Sequence, residues 1–171
     1  MRERILDRSE IDAMIALETN VRNRLVLQLL FFCGLRVSEL TALCWKNVKD
    51  NGSTAFLHVV GKGNKQRTLI VPPLLWASLK KFRAKEESPL FSSRKGAKNL
   101  TPKAIGDIVK TASNRIGLTA SPHWLRHSHA TLALRNGADV HQVSVSLGHS
   151  SVATTSKYLH ASPNDCSSLY L

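Results

Sequence analysis

Val26, Leu27, Leu29, Leu30, Phe31 and Phe32 form a run in which Gln28 is the sole polar interruption. A helix drawn through them is apolar on nearly all sides, and a helix without a polar face has to be enclosed. The rest of the chain must therefore wrap around this segment, which Gly34 stops. With 171 residues there is enough chain to bury such a helix in one domain, with a short appendage at most.

The remaining elements follow from turn and cap signals. Ser9 can cap a first helix with Asp12 three residues on, and Val37 to Leu43 reads as a short helix. Thr54 to Val60 and Thr68 to Val71 read as two strands joined through Gly61-Lys62-Gly63-Asn64-Lys65, whose glycines and asparagine suit a hairpin with positive φ. Pro72 and Pro73 end the second strand and open a helix, and the polar, basic region from Ser88 to Lys98 reads as an exposed loop. Four helices follow. They begin after Thr101-Pro102, at Ser121-Pro122 with closure at Gly137, at Asp139 with Gln142, and at Ser150. The expected class is mainly α with a small antiparallel β-sheet (α+β), without internal repeat or low-complexity linker.

Charge narrows the partner. Lys and Arg exceed Asp and Glu by enough to give a formal net charge of +12 and a pI near 10.1, which favours a polyanion, and nucleic acid first. A membrane is the weaker candidate, because no apolar run reaches about 18 residues and no basic helix carries a bulky apolar face. Met1-Arg2-Glu3-Arg4 has no apolar signal core behind it, so the expected location is cytoplasmic. Cys33, Cys44 and Cys166 are odd in number and lack paired spacing, which argues for reduced thiols and against a disulfide or zinc framework. The sequons at Asn51 and Asn99 are then chance matches.

Chemistry-bearing groups gather late in the chain: His123-Trp124-Leu125-Arg126-His127, then Leu147-Gly148-His149, then Tyr158 nine residues on. Arginine binds phosphate oxygens through a planar fork, histidine moves protons near neutral pH, and tyrosine can be a nucleophile. His123 and Arg126 share a face in the first turn of a helix, where free N–H groups favour a phosphate. Each group also has a structural reading: His123 as a cap, Arg126 paired with a carboxylate, His149 as a capping residue at a tight corner, Tyr158 as a half-buried core residue. His127 and His129 read as packing or supporting groups. His123 with His127 resembles half a zinc site, but the glutamate of a His-Glu-x-x-His helix is missing.

Two upstream segments add to the set. Gly34-Leu35-Arg36-Val37-Ser38-Glu39-Leu40 places an arginine just after the core helix, where Glu39 can pair with it and hold its rotamer while it still binds phosphate. Gly61-Lys62-Gly63-Asn64-Lys65-Gln66-Arg67 is either a solvated basic turn or a mobile loop that carries an ammonium to DNA, and it is no Walker P-loop.

In this order, the four segments closely resemble the catalytic domain of the tyrosine recombinases, the phage-integrase and Xer type, over residues 5–160, with 161–171 as a C-terminal tail. The resemblance implies catalytic roles for Arg36, Lys62, His123, Arg126, His149 and the nucleophile Tyr158, with Glu39 and His127 in support. It implies cleavage of a DNA phosphodiester to a 3′-phosphotyrosyl link and a free 5′-hydroxyl, without metal, nucleotide or other cofactor. Lys65, Arg67, Lys95, Lys98, Lys103 and Lys110 are expected to bind backbone phosphates. Family members usually carry an N-terminal DNA-binding domain, and the expectation here is a chain that begins where the catalytic domain would begin. Self-association on DNA, as a tetramer on paired sites, is the family's mode of action. Nicking and resealing without strand exchange, as in a type IB topoisomerase, and DNA binding without catalysis are the alternative readings.

Overall fold

The structure, a computed structural model, describes residues 4–94, 96, 98–149 and 167–171. Asp7, rather than Ser9, opens the first helix, α1 (Arg8–Ala16). The Glu10 amide donates to Asp7 Oδ1 at 2.9 Å and the Asp7 amide donates back to Glu10 Oε2 at 3.0 Å. This reciprocal capping box satisfies two orphan donors, whereas Ser9 spends its hydroxyl as a donor to Asp7.

Helix α2 (Val21–Phe32), capped by Asn20, is the expected central element. Leu25, Val26, Leu27, Leu29, Leu30 and Phe31 are buried, and the helix packs against α1, α4 (Pro73–Leu79), α5 (Pro102–Asn114) and α6 (Pro122–Arg135). Truncating any one of these leucines to alanine would cost about 2–5 kcal/mol. Helix α3 (Val37–Ala42) follows at once, and α7 (Val140–Leu147), with the expected Asp139–Gln142 capping box, comes after α6.

Three strands, not two, form the sheet: β1 (Val48–Asn51), β2 (Thr54–Val60) and β3 (Gln66–Val71), antiparallel in the order β1-β2-β3. Val48-Lys49-Asp50-Asn51 has only one β-branched residue, so its sequence carries no strand signal. It becomes a strand through tertiary pairing, Val48 opposite Leu57 and Asn51 opposite Thr54. Ala55, Leu57 and Val59 of β2 face inward, as do Leu69 and Val71 of β3. The segment expected as an exposed loop from Ser88 to Lys98 is also more integrated, because Leu90 and Phe91 are buried and the Leu90 amide donates to the Leu43 carbonyl at 2.9 Å. The helix expected from Ser150 lies outside the described residues.

Residues 167–171, expected as part of a tail, are docked onto their own chain. Ser168 Oγ donates to the Ile70 carbonyl at 2.9 Å, Asn136 Nδ2 donates to the Tyr170 carbonyl at 2.6 Å, and Arg8 donates to the Leu171 carbonyl. Tyr170 and Leu171 pack on a small apolar cluster between α6 and α7 that includes Ala133, Val143 and Leu147. Among the described residues no helix is long and apolar enough to cross a membrane.

His129 is the polar pin of this arrangement. It is fully buried, with Nδ1 at 2.6 Å from the Phe31 carbonyl and Nε2 at 2.7 Å from Ser167 Oγ. A neutral ring satisfies both contacts: Nδ1–H donates to the carbonyl, and Nε2 accepts from the hydroxyl. Burial first, and the nearby Arg126 charge, lower its pKa from 6.5 to about 4, against the opposing hydrogen bond to Phe31. Below pH 6.5 the unfolded chain takes up a proton that the folded chain refuses, so this contribution is complete above 6.5 and is lost as pH falls toward 4. Urea denaturation at stepped pH should show stability falling between pH 6.5 and 5 in the wild type, and a flatter profile over that range in His129→Gln.

Candidate active site

The chain reversal after α2 sets the first charged group. Gly34 has φ +60°, and a Cβ there would lie 2.7 Å from Leu147 Cδ2 and 2.9 Å from His129 Cδ2, so both conformation and space require glycine. Two residues later Arg36 occupies the N-cap of α3, and its amide donates to Glu39 Oε2 at 2.7 Å. Its guanidinium touches Glu39 Oε1 at 3.2 Å yet keeps 35% of the side chain exposed. The carboxylate thus anchors Arg36 without using up its fork of donors.

Helix α6 carries the second set. Arg126 is buried, donating through Nη1 to the Gly34 carbonyl and through Nη2 to the Leu147 carbonyl at 2.6 Å, with Glu39 Oε2 at 4.0 Å. It therefore ties the reversal after α2 to the end of α7. One turn away on α6, His123 Nε2 and His127 Nε2 lie 2.7 Å apart with their rings edge to face. One nitrogen must donate and the other accept, so this contact holds a single proton between the two rings.

Helix α7 ends at Gly148 in the left-handed conformation (φ 66°, ψ 37°), and the His149 amide donates back to the Ser144 carbonyl at 3.0 Å. This corner presents the imidazole beside the arginines. Desolvation first, then the charges of Arg126, Arg36, Arg67 and His127, lower its pKa from 6.5 to about 4. At neutral pH the ring is uncharged and offers one N–H donor.

Beneath these groups lies a buried ion pair. Arg67 Nη1 donates to Glu39 Oε1 at 2.7 Å, Nη2 to Oε2 at 2.9 Å, and Nε to the Ser146 carbonyl at 2.7 Å. The side chains of Arg67 and Glu39 are only 7% and 2% exposed. Burial alone would push the Glu39 carboxyl up, but the hydrogen bonds from Arg67 and the Arg36 amide, with the charges of Arg67 and Arg126, hold it below its ordinary value. Arg67 was expected among the surface phosphate binders, and the structure corrects this. It faces inward beside Leu69 and Val71, opposite Val59, because strand alternation puts residues 67, 69 and 71 on one side. That alternation is the sequence signal that could have placed it.

Arg36, His123, Arg126, His127 and His149 line one cavity of about 450 Å³. Lys62 stands exposed on the hairpin turn, outside that lining, with Lys65 also exposed nearby. Lys98, Lys103 and Lys110 are exposed, and Lys103 pairs with Asp107 at 3.1 Å. Tyr158 and Lys95 lie outside the described residues. Among the described residues no group of three or more His, Cys, Asp or Glu side chains is arranged to hold a metal ion.

The phage integrase family model matches residues 4–165, and the chain belongs to this family. It is 41% identical over 145 residues to tyrosine recombinase XerA of Pyrococcus furiosus, an alignment covering 81% of this chain and 50% of that protein. A crystal structure of XerA recombinase superposes with a TM-score of 0.80 at 30% identity, covering 97% of this chain and 61% of the other. A site-specific recombinase XerH bound to difH substrate in a pre-cleavage complex gives a TM-score of 0.80 at 26% identity, covering 95% and 52%. The chain thus spans about half the length of the curated relatives it matches.

Replacing Glu39 by glutamine should leave two buried guanidinium groups without their counter-charge. The expected loss is about 3–5 kcal/mol of folding stability, measured as a shift of the urea midpoint at neutral pH. A change under about 1 kcal/mol would mean that the carboxylate does not hold this site together.

Proposed function

We propose that this chain is the catalytic domain of a tyrosine recombinase that breaks and rejoins DNA by transesterification. The convergence of Arg36, Arg126, His123 and His149 on one cavity carries this reading. Two guanidinium groups and a neutral imidazole donor form a cradle for a scissile phosphate, whose oxygens gain charge in the transition state. Each preorganised donor of this kind accounts for about 10²–10³ in rate.

In the proposed reaction the Tyr158 oxygen attacks phosphorus, and the bond to the 5′-oxygen breaks. A 3′-phosphotyrosyl link and a 5′-hydroxyl result. A phenol with an ordinary pKa of roughly 10 must lose its proton on attack. His123 is the proposed base, with His127 at 2.7 Å fixing which of its nitrogens carries a proton. Lys62 is the proposed acid for the leaving oxygen, reaching the cavity by movement of its exposed hairpin. The reverse attack by a partner strand's 5′-hydroxyl exchanges strands, and bond energy is conserved, so neither nucleotide nor metal enters the scheme.

Double-stranded DNA is the proposed substrate and partner, and a tetramer on paired sites is the proposed assembly. The proposed location is with its DNA substrate: cytoplasmic, and nucleoid-associated if the cell is prokaryotic. The formal net charge of +12 supports backbone binding, with exposed Lys65, Lys98, Lys103 and Lys110 as contributors whose effect falls steeply with salt.

A pool of nicked suicide duplexes of randomised sequence tests this. The chain, alone and fused to a family-type N-terminal DNA-binding domain, should yield a covalent adduct on denaturing electrophoresis. Tyr158→Phe should abolish the adduct, and Arg36→Ala should slow its formation about 10²–10³-fold. No adduct from either form at saturating DNA would defeat the proposal. Adduct with relaxation of supercoils but without recombinant product would favour the nicking-resealing alternative.

A further inference from the structure

The carboxylate that anchors Arg36 and the helix end that leads to His149 both meet one side chain the reaction scheme does not use. Arg67 grips both oxygens of Glu39, and Glu39 in turn holds the Arg36 amide and guanidinium. Its Nε holds the Ser146 carbonyl, next to the Leu147 carbonyl that receives Arg126 and three residues ahead of His149. It projects from β3, the strand that leads out of the Lys62 turn, and the Gly61 amide closes that turn on the Lys65 carbonyl at 2.8 Å.

The fit around it is close on two sides. A Cβ on Gly148 would lie 3.0 Å from Arg67 Nη1 and 3.3 Å from its Cζ. A Cβ on Gly61 would lie 3.2 Å from Glu39 Oε1 and 3.5 Å from Arg67 Nη1. The guanidinium therefore lies between the corner that presents His149 and the base of the hairpin that presents Lys62.

We infer that Arg67 is a positioning residue, a three-way brace that fixes the base of the Lys62 hairpin, from which its tip can swing, and the His149 corner relative to the Arg36 cradle through Glu39 and the Ser146 carbonyl. The role needs a planar fork. Two Nη donors engage the carboxylate while Nε, in the same plane but pointing elsewhere, engages a carbonyl. A lysine ammonium keeps the charge but cannot make three bonds in these fixed directions, so it does not substitute. The brace reaches DNA only through the groups it holds, which separates it from an arginine that contacts phosphate.

The kinetic part rests on the recombinase reading above, and the structural part does not. On suicide duplexes recovered with the wild-type chain, Arg67→Lys and Arg67→Gln should each cut the rate of adduct formation at saturating DNA about 100-fold, the scale expected when a catalytic group is misplaced by about an ångström. The salt dependence of DNA binding should stay as in the wild type. A variant with wild-type cleavage at saturation, and a log–log salt slope shallower by about 1, would make Arg67 a phosphate contact and overturn the inference. Absence of adduct from the wild type itself would instead sink the recombinase reading.

One NMR measurement reads the brace without activity. In the wild-type chain, whatever the variants' stability, the Arg67 Nε–H signal should persist at neutral pH and stay unmoved when a random-sequence duplex is added. Rapid exchange of that proton, or a large shift on adding duplex, would contradict the assignment.

Discussion

A single buried carboxylate organises this molecule's chemistry. Glu39 is 2% exposed as a side chain and faces Arg67 directly, Arg36 at its edge and Arg126 at 4.0 Å. Placing one negative charge among three positive ones lets guanidinium groups sit deep in a protein, where each alone would carry a desolvation penalty of several kcal/mol. The surplus positive charge is what the cavity presents outward. Desolvation first, and then this positive charge, lower the pKa of His149 to about 4, so the ring is neutral at neutral pH.

The fold explains why that carboxylate is held so firmly. Helix α2 is enclosed by α1, α4, α5 and α6, and its end delivers Gly34 against Leu147 and His129. Arg126 then bonds the carbonyls of Gly34 and Leu147, so the end of α2 and the end of α7 are fixed to one guanidinium. His129, on the same helix as Arg126, fastens the Phe31 carbonyl and Ser167. Packing and site chemistry thus share α6, with neighbouring turns of one helix serving each.

Much of this was legible in the sequence. The apolar run at Val26–Phe32 with Gly34 behind it specified the central helix, since no other arrangement hides such a surface. The segments around Arg36, His123-Arg126 and His149 pointed to one site, and the structure brings them to one cavity. Strand β1 was not legible, because Lys49-Asp50-Asn51 become a strand only by pairing with an edge that other residues build. The α1 cap was misplaced by two residues because Ser9–Asp12 and Asp7–Glu10 share a spacing, and only side-chain reach decides between them. Arg67 was misjudged through its basic neighbours: Lys62 and Lys65 are exposed, but alternation along β3 turns Arg67 to the side of Leu69 and Val71. Leu90 and Phe91 were hidden in a polar context and are buried through contacts distant in sequence.

If Glu39 and Arg67 act as one unit, their contributions cannot add. A double-mutant cycle of Glu39→Gln and Arg67→Gln, read by urea unfolding at neutral pH, measures this directly. The account predicts a coupling energy of about 2–3 kcal/mol, with the double variant little worse than the more damaging single one, because each single change leaves a buried charge unpaired. Additivity within about 0.5 kcal/mol would contradict it, showing two independent side chains where the structure places a joint one.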